Sequence, residues 1–185
     1  NNLIKEPLKK IEIGVVIKQD ILENQVSSIY LGIGSNLGNK KANIEKAKFE
    51  LIHNNIMICE SSSYYESLSW PNPKNPKFFN IVLKIKTNLN PYELLKKCKQ
   101  IESKLGRKQS SINSPRICDI DILDYKKKRS IKSIILPHPR LHKRNFVLIP
   151  LFEINKNWVH PTTKYHIKRL IFLLSKKDIT SIKQI

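Results

Sequence analysis

The sequence predicts an α+β domain built on an antiparallel sheet, and three observations carry that prediction. From Ile29 onward the local signals run strand, helix, strand, strand, helix, strand. The segment Asn90–Gly106 has every mark of a helix: Asn90 as N-cap, Pro91 at the first helical position, Glu93 placed for a capping box and Gly106 as a stop. The segment ICDIDIL, Ile117 to Leu123, alternates apolar and acidic residues as a strand with one buried face does.

Each element has its own warrant. Residues 1–28 are polar apart from IEIGVVI (Ile11 to Ile17), which reads as a strand followed by a linker. Ile29–Ile33 is a short buried strand running into Gly32, Gly34 and Gly38. Lys40–His53 is helical, with Asn39 as cap and Ile44, Ala47 and Leu51 on one face. Ile56–Tyr65 reads as one strand. The segment SLSWPNPKNPKFFN holds three Pro and is too long for a hairpin turn. Phe79–Lys86 alternates as a half-buried strand. In the second helix Leu94, Leu95, Cys98, Ile101 and Leu105 share a face. A loop, Arg107–Pro115, leads to ICDIDIL, and Asn145–Ile154 is an apolar helix around Pro150. The order is that of a ferredoxin-like βαββαβ core, with an antiparallel sheet, helices on one face and C-terminal helical and loop additions. The expected organisation is an extension over 1–28, one domain over 29–170 and a tail over 171–185.

Composition narrows the function. With 185 residues, 40% hydrophobic and 26% charged, the chain can build a core and is not a disordered polymer. No apolar run approaches the ~18 residues of a membrane span. Cys59, Cys98 and Cys118 form no CxxC, which argues against a disulfide framework and for a reducing compartment, so a cytoplasmic location is expected. A net charge of +19 suggests a polyanion partner. Most of it comes from 28 Lys spread over the whole chain, which fits a solvated surface; a small polyphosphate would profit from the same field.

Arg is scarce by contrast, and five of the six fall from Arg107 to Arg144. Arg kept in one window of a Lys-rich chain suggests sites that need its planar fork. Asp119 and Asp121 sit two apart on a strand and project to the same side, while Ile120 and Ile122 enter the other. Two adjacent carboxylates repel unless a cation lies between them, and their hard oxygens suit Mg²⁺. Arg116, just ahead of them, can clamp a phosphate. The stretch LPHPRLHKRNF crowds His138, Arg140, His142, Lys143 and Arg144 before Phe146. Trp70, Phe78, Phe79 and Asn80 bring rings beside an amide able to bond a heterocycle edge. GIGSNLG is neither a Walker A loop nor a good dinucleotide fingerprint.

Together the stretches YLGIGSNLGN, FFNIVLKI, LLKKCKQIESKLGR, PRICDIDIL and LPHPRLHKRNFVLIPLFEI resemble one family closely, the 6-hydroxymethyl-7,8-dihydropterin pyrophosphokinases of folate biosynthesis. The resemblance covers roughly Ile29 to Tyr165. It implies Mg-dependent transfer of diphosphate from ATP to the pterin hydroxymethyl group, with AMP released. Two Mg²⁺ would be held by Asp119 and Asp121. Arg107 and Arg116 would be catalytic together with those carboxylates. Lys99, Glu102, Arg116, Ile122, Ile135, His138 and Arg144 fall at ATP positions. Ser67, the Trp70 backbone, Phe78, Asn80 and Phe146 fall at pterin positions, with Phe78 and Phe146 sandwiching the ring. No general base is visible, so the hydroxyl proton is expected to leave to solvent. The partners are small molecules, with neither nucleic acid nor membrane.

Two features stand apart from this pattern. The loop RKQSSINSPR lacks the second arginine and the tryptophan that many members carry, and Ile112 or Asn113 stands in the tryptophan's place. Weaker ATP binding or slower turnover is the expectation, and an ATP affinity unchanged by Asn113→Trp would count against it. LIKEPLKKIEIGVVI resembles the closing strand of dihydroneopterin aldolase, so the chain is either the end of a fused folate enzyme or carries a plain N-terminal extension. Two other classes compete with the enzyme: a nucleic-acid-binding ferredoxin-like module and a catalytically impaired pterin- and ATP-binding scaffold.

Overall fold

The computed structural model describes residues 28–69, 72–107, 114–129 and 134–185. The strand expected at Ile11–Ile17 lies outside the described residues. The elements are β1 (Ile29–Ser35), α1 (Lys40–His53), β2 (Met57–Ser61), β3 (Tyr65–Ser67), β4 (Phe78–Lys86), α2 (Pro91–Lys104), β5 (Asp119–Tyr125), α3 (Asn145–Ile154), α4 (Ile167–Phe172), α5 (Lys176–Thr180) and β6 (Ile182–Gln184). All strand pairings are antiparallel, in the order β5-β1-β4-β3-β6, with β2 also on β4. Counting β2 and β3 as one broken strand gives the βαββαβ core the sequence predicts.

Both long helices start and stop where their residues say. Asn39 accepts from the Ala42 N–H, and Asn90 and Glu93 form a complete capping box. Gly106 ends α2's run at φ +93°, a conformation only glycine adopts without strain. Ile44, Ala47 and Leu51 of α1 and Leu94, Cys98 and Ile101 of α2 pack on Leu31, Ile33, Ile81, Leu83, Ile120 and Ile122 in one core.

Three sequence expectations need correction. The Ile56–Tyr65 strand is split, because Ser62 and Ser63 spend their polar groups locally. Ser62 Oγ accepts the Val82 N–H at 2.9 Å, while the Ser63 N–H and hydroxyl both donate to Glu153 Oε1 of α3, at 3.0 and 2.7 Å. Strand β4 is not half-buried: Asn80 through Leu83 are all buried. A second core made by α3, α4 and Trp158 closes the other sheet face around Tyr30, Val82 and Leu123. Finally, the end of the expected 171–185 tail joins the sheet, since β6 pairs with β3.

The alternation of β5 also breaks, at a bulge. Ile122 lies opposite Leu31 and Asp124 opposite Tyr30, which leaves Leu123 as the extra residue. Leu123 and Asp124 both serve the second core, where the buried Asp124 carboxylate accepts the Trp158 indole N–H at 2.9 Å. No helix among the described residues is long and apolar enough to cross a membrane.

His160 makes this second layer pH-sensitive. Its Nδ1 accepts the N–H groups of Thr162 and Thr163, each at 3.2 Å, and its ring abuts Trp158 and His142. Protonation would break those bonds. Burial, with His142 and Lys127 nearby, lowers its pKa to about 4. The unfolded chain takes up the proton below its pKa of about 6.5, before the folded chain does. The stability His160 contributes is therefore complete above that pH and is lost as pH falls toward 4. A loss of about 1–2 kcal/mol by pH 5 is expected, seen as a melting-temperature drop of a few degrees that His160→Gln removes.

Candidate active site

The C-terminal half of β1, the start of β4, β5 and the start of α3 enclose a cleft of about 240 Å³. One part is charged. Asp119 and Asp121 face into it together, as period-two alternation requires. Arg107 Nη1 lies 2.7 Å from Asp119 Oδ1, and Arg116 Nη1 lies 3.2 Å from Oδ2 of the same carboxylate. Arg144 Nη1 is 3.1 Å and His138 Nε2 is 3.6 Å from Asp121 Oδ2. Burial alone would raise the Asp121 pKa, but its neighbours His138, Arg144 and Lys99 outweigh it and hold the carboxyl below its usual range. Among the described residues the buried Nε atoms of Arg116 and Arg144 find no hydrogen-bond partner, so both guanidinium groups keep donor capacity beyond their carboxylates.

The rest of the lining is uncharged and adjoins the charged part, with Arg116 over the Phe78 ring at 5.9 Å and Arg144 over the Phe146 ring at 5.4 Å. It includes Phe78 and Phe146 with Ser67, Leu68 and Asn80. Asn80 Nδ2 donates to Ser67 Oγ at 2.9 Å, which fixes the amide and leaves its oxygen toward Gly34. A β-carbon at Gly34 would stand 3.0 Å from that oxygen and 3.3 Å from Phe78 Cδ1, so the strand's glycine is what lets the two side chains close up.

The cleft brings together Ser67, Phe78, Asn80, Lys99, Arg107, Arg116, Asp119, Asp121, Arg144 and Phe146 of the expected residues. His138 touches it through Asp121. Three others lie elsewhere. The Ile122 side chain points into the core on the opposite sheet face, and Ile135 is exposed. Glu102 is 1% exposed and sits behind the cleft. Its carboxylate accepts the Ile120 N–H at 2.6 Å and Lys99 Nζ at 2.8 Å, and pairs with Arg107 at 2.6 Å. It therefore orients two of the cleft's cations, Lys99 and Arg107, and the strand between the two Asp. Its signal was present: Glu102 lies eight residues after Leu94 and four after Cys98, on the apolar face of α2. Trp70 and residues 108–113, with Ile112 and Asn113, lie outside the described residues.

Arg140, named in the basic cluster, also lines the cleft. Sequence reasoning missed Asn36. Asn36 is buried; its N–H donates to the Arg116 carbonyl at 3.1 Å, its Oδ1 accepts the Arg116 N–H at 2.7 Å and its Nδ2 donates to the Pro76 carbonyl at 3.0 Å. GIGSNLG is thus a brace for Arg116 rather than a phosphate loop. Nothing local announces it, because Arg116 is 80 residues away.

The donor set fits Mg²⁺. Among the described residues no three His, Cys, Asp or Glu side chains form a closed metal cage. Two carboxylates beside a cationic cleft are nonetheless what Mg²⁺ uses, since it takes one or two carboxylates and completes its shell with phosphate oxygens and water.

A family model described as 7,8-dihydro-6-hydroxymethylpterin-pyrophosphokinase (HPPK) matches residues 30–156, more than half of the chain. The chain belongs to the HPPK family. The 2-amino-4-hydroxy-6-hydroxymethyldihydropteridine pyrophosphokinase of Aquifex aeolicus is 42% identical over 144 residues, which cover 77% of this chain and 89% of that protein. The folic acid synthesis protein FOL1 of Dictyostelium discoideum is 40% identical over 136 residues, 72% of this chain but 20% of FOL1. HPPK sequences thus occur as nearly a whole protein and as a small part of a longer one. The crystal structure of wild-type Plasmodium falciparum HPPK-DHPS superposes with a TM-score of 0.61 at 15% identity, over 77% of this chain and 44% of that one. At that identity the likeness shows the fold.

Proposed function

We propose that this chain transfers the β,γ-diphosphate of ATP to the hydroxymethyl oxygen of 6-hydroxymethyl-7,8-dihydropterin and releases AMP, as its family does. The observation that carries the reading is the make-up of one cleft: paired carboxylates ringed by Arg107, Arg116 and Arg144, and the rings of Phe78 and Phe146 together with the Asn80 amide. A triphosphate fits the first set and a flat heterocycle the second. In the reaction the pterin oxygen bonds to the β-phosphorus, the bond from that phosphorus to the α-phosphate oxygen breaks, and AMP carries away the electron pair. The hydroxyl proton passes to solvent.

The chain's own residues supply position and charge. Arg107, Arg116 and Arg144 offer forked donors to phosphate oxygens, and their carboxylate partners keep them aimed into the cleft. Phe78 and Phe146 hold the pterin plane, and Asn80 bonds its edge. Asp119 and Asp121 would hold two Mg²⁺, whose chemistry there is neutralisation of phosphate charge and polarisation of the bond that breaks. A bare sheet platform of the RNA-binding kind is not offered, because α3, α4 and Trp158 cover the second face. Relatives such as FOL1 support fusion to another folate enzyme as one setting for this unit.

AMP formation that requires both the pterin and Mg²⁺ is the expected result of a product assay; ADP, or AMP made at the same rate without pterin, would contradict the reading. Gly34→Ala should raise the KM for pterin about tenfold, by pushing Asn80 and Phe78 apart, and leave the KM for ATP within about twofold. Equal rises in both constants would contradict that assignment of the two sets.

A further inference from the structure

We infer that the C-terminal segment Ser175–Ile185 is a positioning element of the active site that fixes the width of the pterin slot from outside; this rests on the functional reading above. Two walls define the slot. One carries Ser67, Phe78 and Asn80 on β3 and β4, and the other carries Phe146 at the start of α3. None of residues 175–185 lines the cleft, yet the segment is bonded to both walls.

On the first wall, β6 pairs with β3 through Ser67–Ile182, Glu66–Lys183 and Tyr65–Gln184, and the Ile185 N–H extends the ladder to the Tyr64 carbonyl at 3.0 Å. Strand β3 has three residues, too few to be held well by a single ladder, and β6 gives it a second one opposite β4. Ser67, at the end of that ladder, is the residue that takes the Asn80 amide.

On the second wall, the turn between α5 and β6 grips Asn145. Asn145 Nδ2 donates to the Asp178 carbonyl at 2.6 Å and to Ser181 Oγ at 3.1 Å, and Ser181 Oγ donates to the same carbonyl at 2.9 Å. Asn145 stands between Arg144 and Phe146 and is itself buried. A third tie closes the frame, with Gln184 Nε2 donating to Ser63 Oγ, which donates to Glu153 of α3. Among the described residues the ATP-side Lys99, Arg107 and Arg116 receive no bond from this segment, and Arg144, which precedes Asn145, is held by Asp121 instead. Its effect should therefore fall more on pterin than on ATP.

The test compares Ser181→Val, which removes the hydroxyl, with Ser181→Thr, which has the shape of Val and keeps the hydroxyl, and Lys183→Pro, which cannot donate to the β3 ladder. The expected result for Ser181→Val is a pterin KM about fivefold higher with the ATP KM within twofold, the size of effect that one lost hydrogen bond supports. Ser181→Thr should match the parent, and Lys183→Pro should shift pterin KM further. An unchanged pterin KM in Ser181→Val overturns the inference, as does a change confined to melting temperature and apparent kcat, which is what a purely structural tail gives. If Lys183→Pro does not fold, the Ser181 pair still decides. A parent chain that forms no AMP from pterin and ATP overturns the functional reading and this inference together; a parent that does so beside an unaffected Ser181→Val overturns the inference alone.

Discussion

Asp121→Asn should reduce pterin-dependent AMP formation by at least about a thousandfold while the chain stays folded. The amide keeps the shape of the carboxyl and its contact with Arg144, but it removes the charge that a cation needs. Metal-free nucleotide binding should move the other way. Asp121 is a fixed negative charge among Arg144, His138 and Lys99. Without it the cleft attracts a triphosphate more strongly. Calorimetric titration with ATP in EDTA is expected to show equal or tighter binding by the variant, beside a collapse of kcat in Mg²⁺. Retention of more than about a tenth of the activity would remove Asp121 from the proposed machinery.

Glu102→Ala should carry the largest stability cost of any single change near the cleft. It strips the Ile120 N–H of its acceptor and leaves Lys99 and Arg107 without the buried carboxylate that holds them. Breaking a buried charge pair from one side typically costs about 3–5 kcal/mol. For a chain of this size that corresponds to a melting temperature lower by roughly 6–15 °C. Glu102→Gln keeps an acceptor for Ile120 but no charge, so it should fall between the parent and Glu102→Ala. In both variants kcat should drop about tenfold or more per folded molecule, because Arg107 loses one of the two carboxylates that aim it. A melting temperature within two degrees of the parent for Glu102→Ala would show that this carboxylate is not the brace its contacts imply.

Much of this was legible in the residues, and the reasons are local. Helix α2 was readable to the residue because its cap, its proline, its apolar spacing and its terminal glycine agree. Asp119 and Asp121 were readable as a pair because a strand has a period of two. What escaped depended on distant partners. The break at Ser62 needs Glu153, ninety residues beyond Ser63. The burial of β4 on both faces needs α3, and the bulge at Leu123 needs the register of β1. Strand β6, IKQ, is too short and polar to announce itself and exists because β3 offers an edge. In the site, most of the charged and aromatic residues that line the cleft were visible by their chemistry. The brace Asn36 is an ordinary polar residue until the fold brings Arg116 to it, whereas Glu102 shows itself by its place on the apolar face of α2.

In the proposed reaction diphosphate moves as one unit from ATP at the charged residues of the cleft to a pterin held by its rings. Phosphorus NMR of a complete reaction containing ATP, Mg²⁺ and 6-hydroxymethyl-7,8-dihydropterin follows that transfer. AMP and a pterin diphosphate ester in equal amounts are expected, with no ADP and no free phosphate on the path. A pterin monophosphate with ADP, or AMP accompanied by free diphosphate and unchanged pterin, would contradict it.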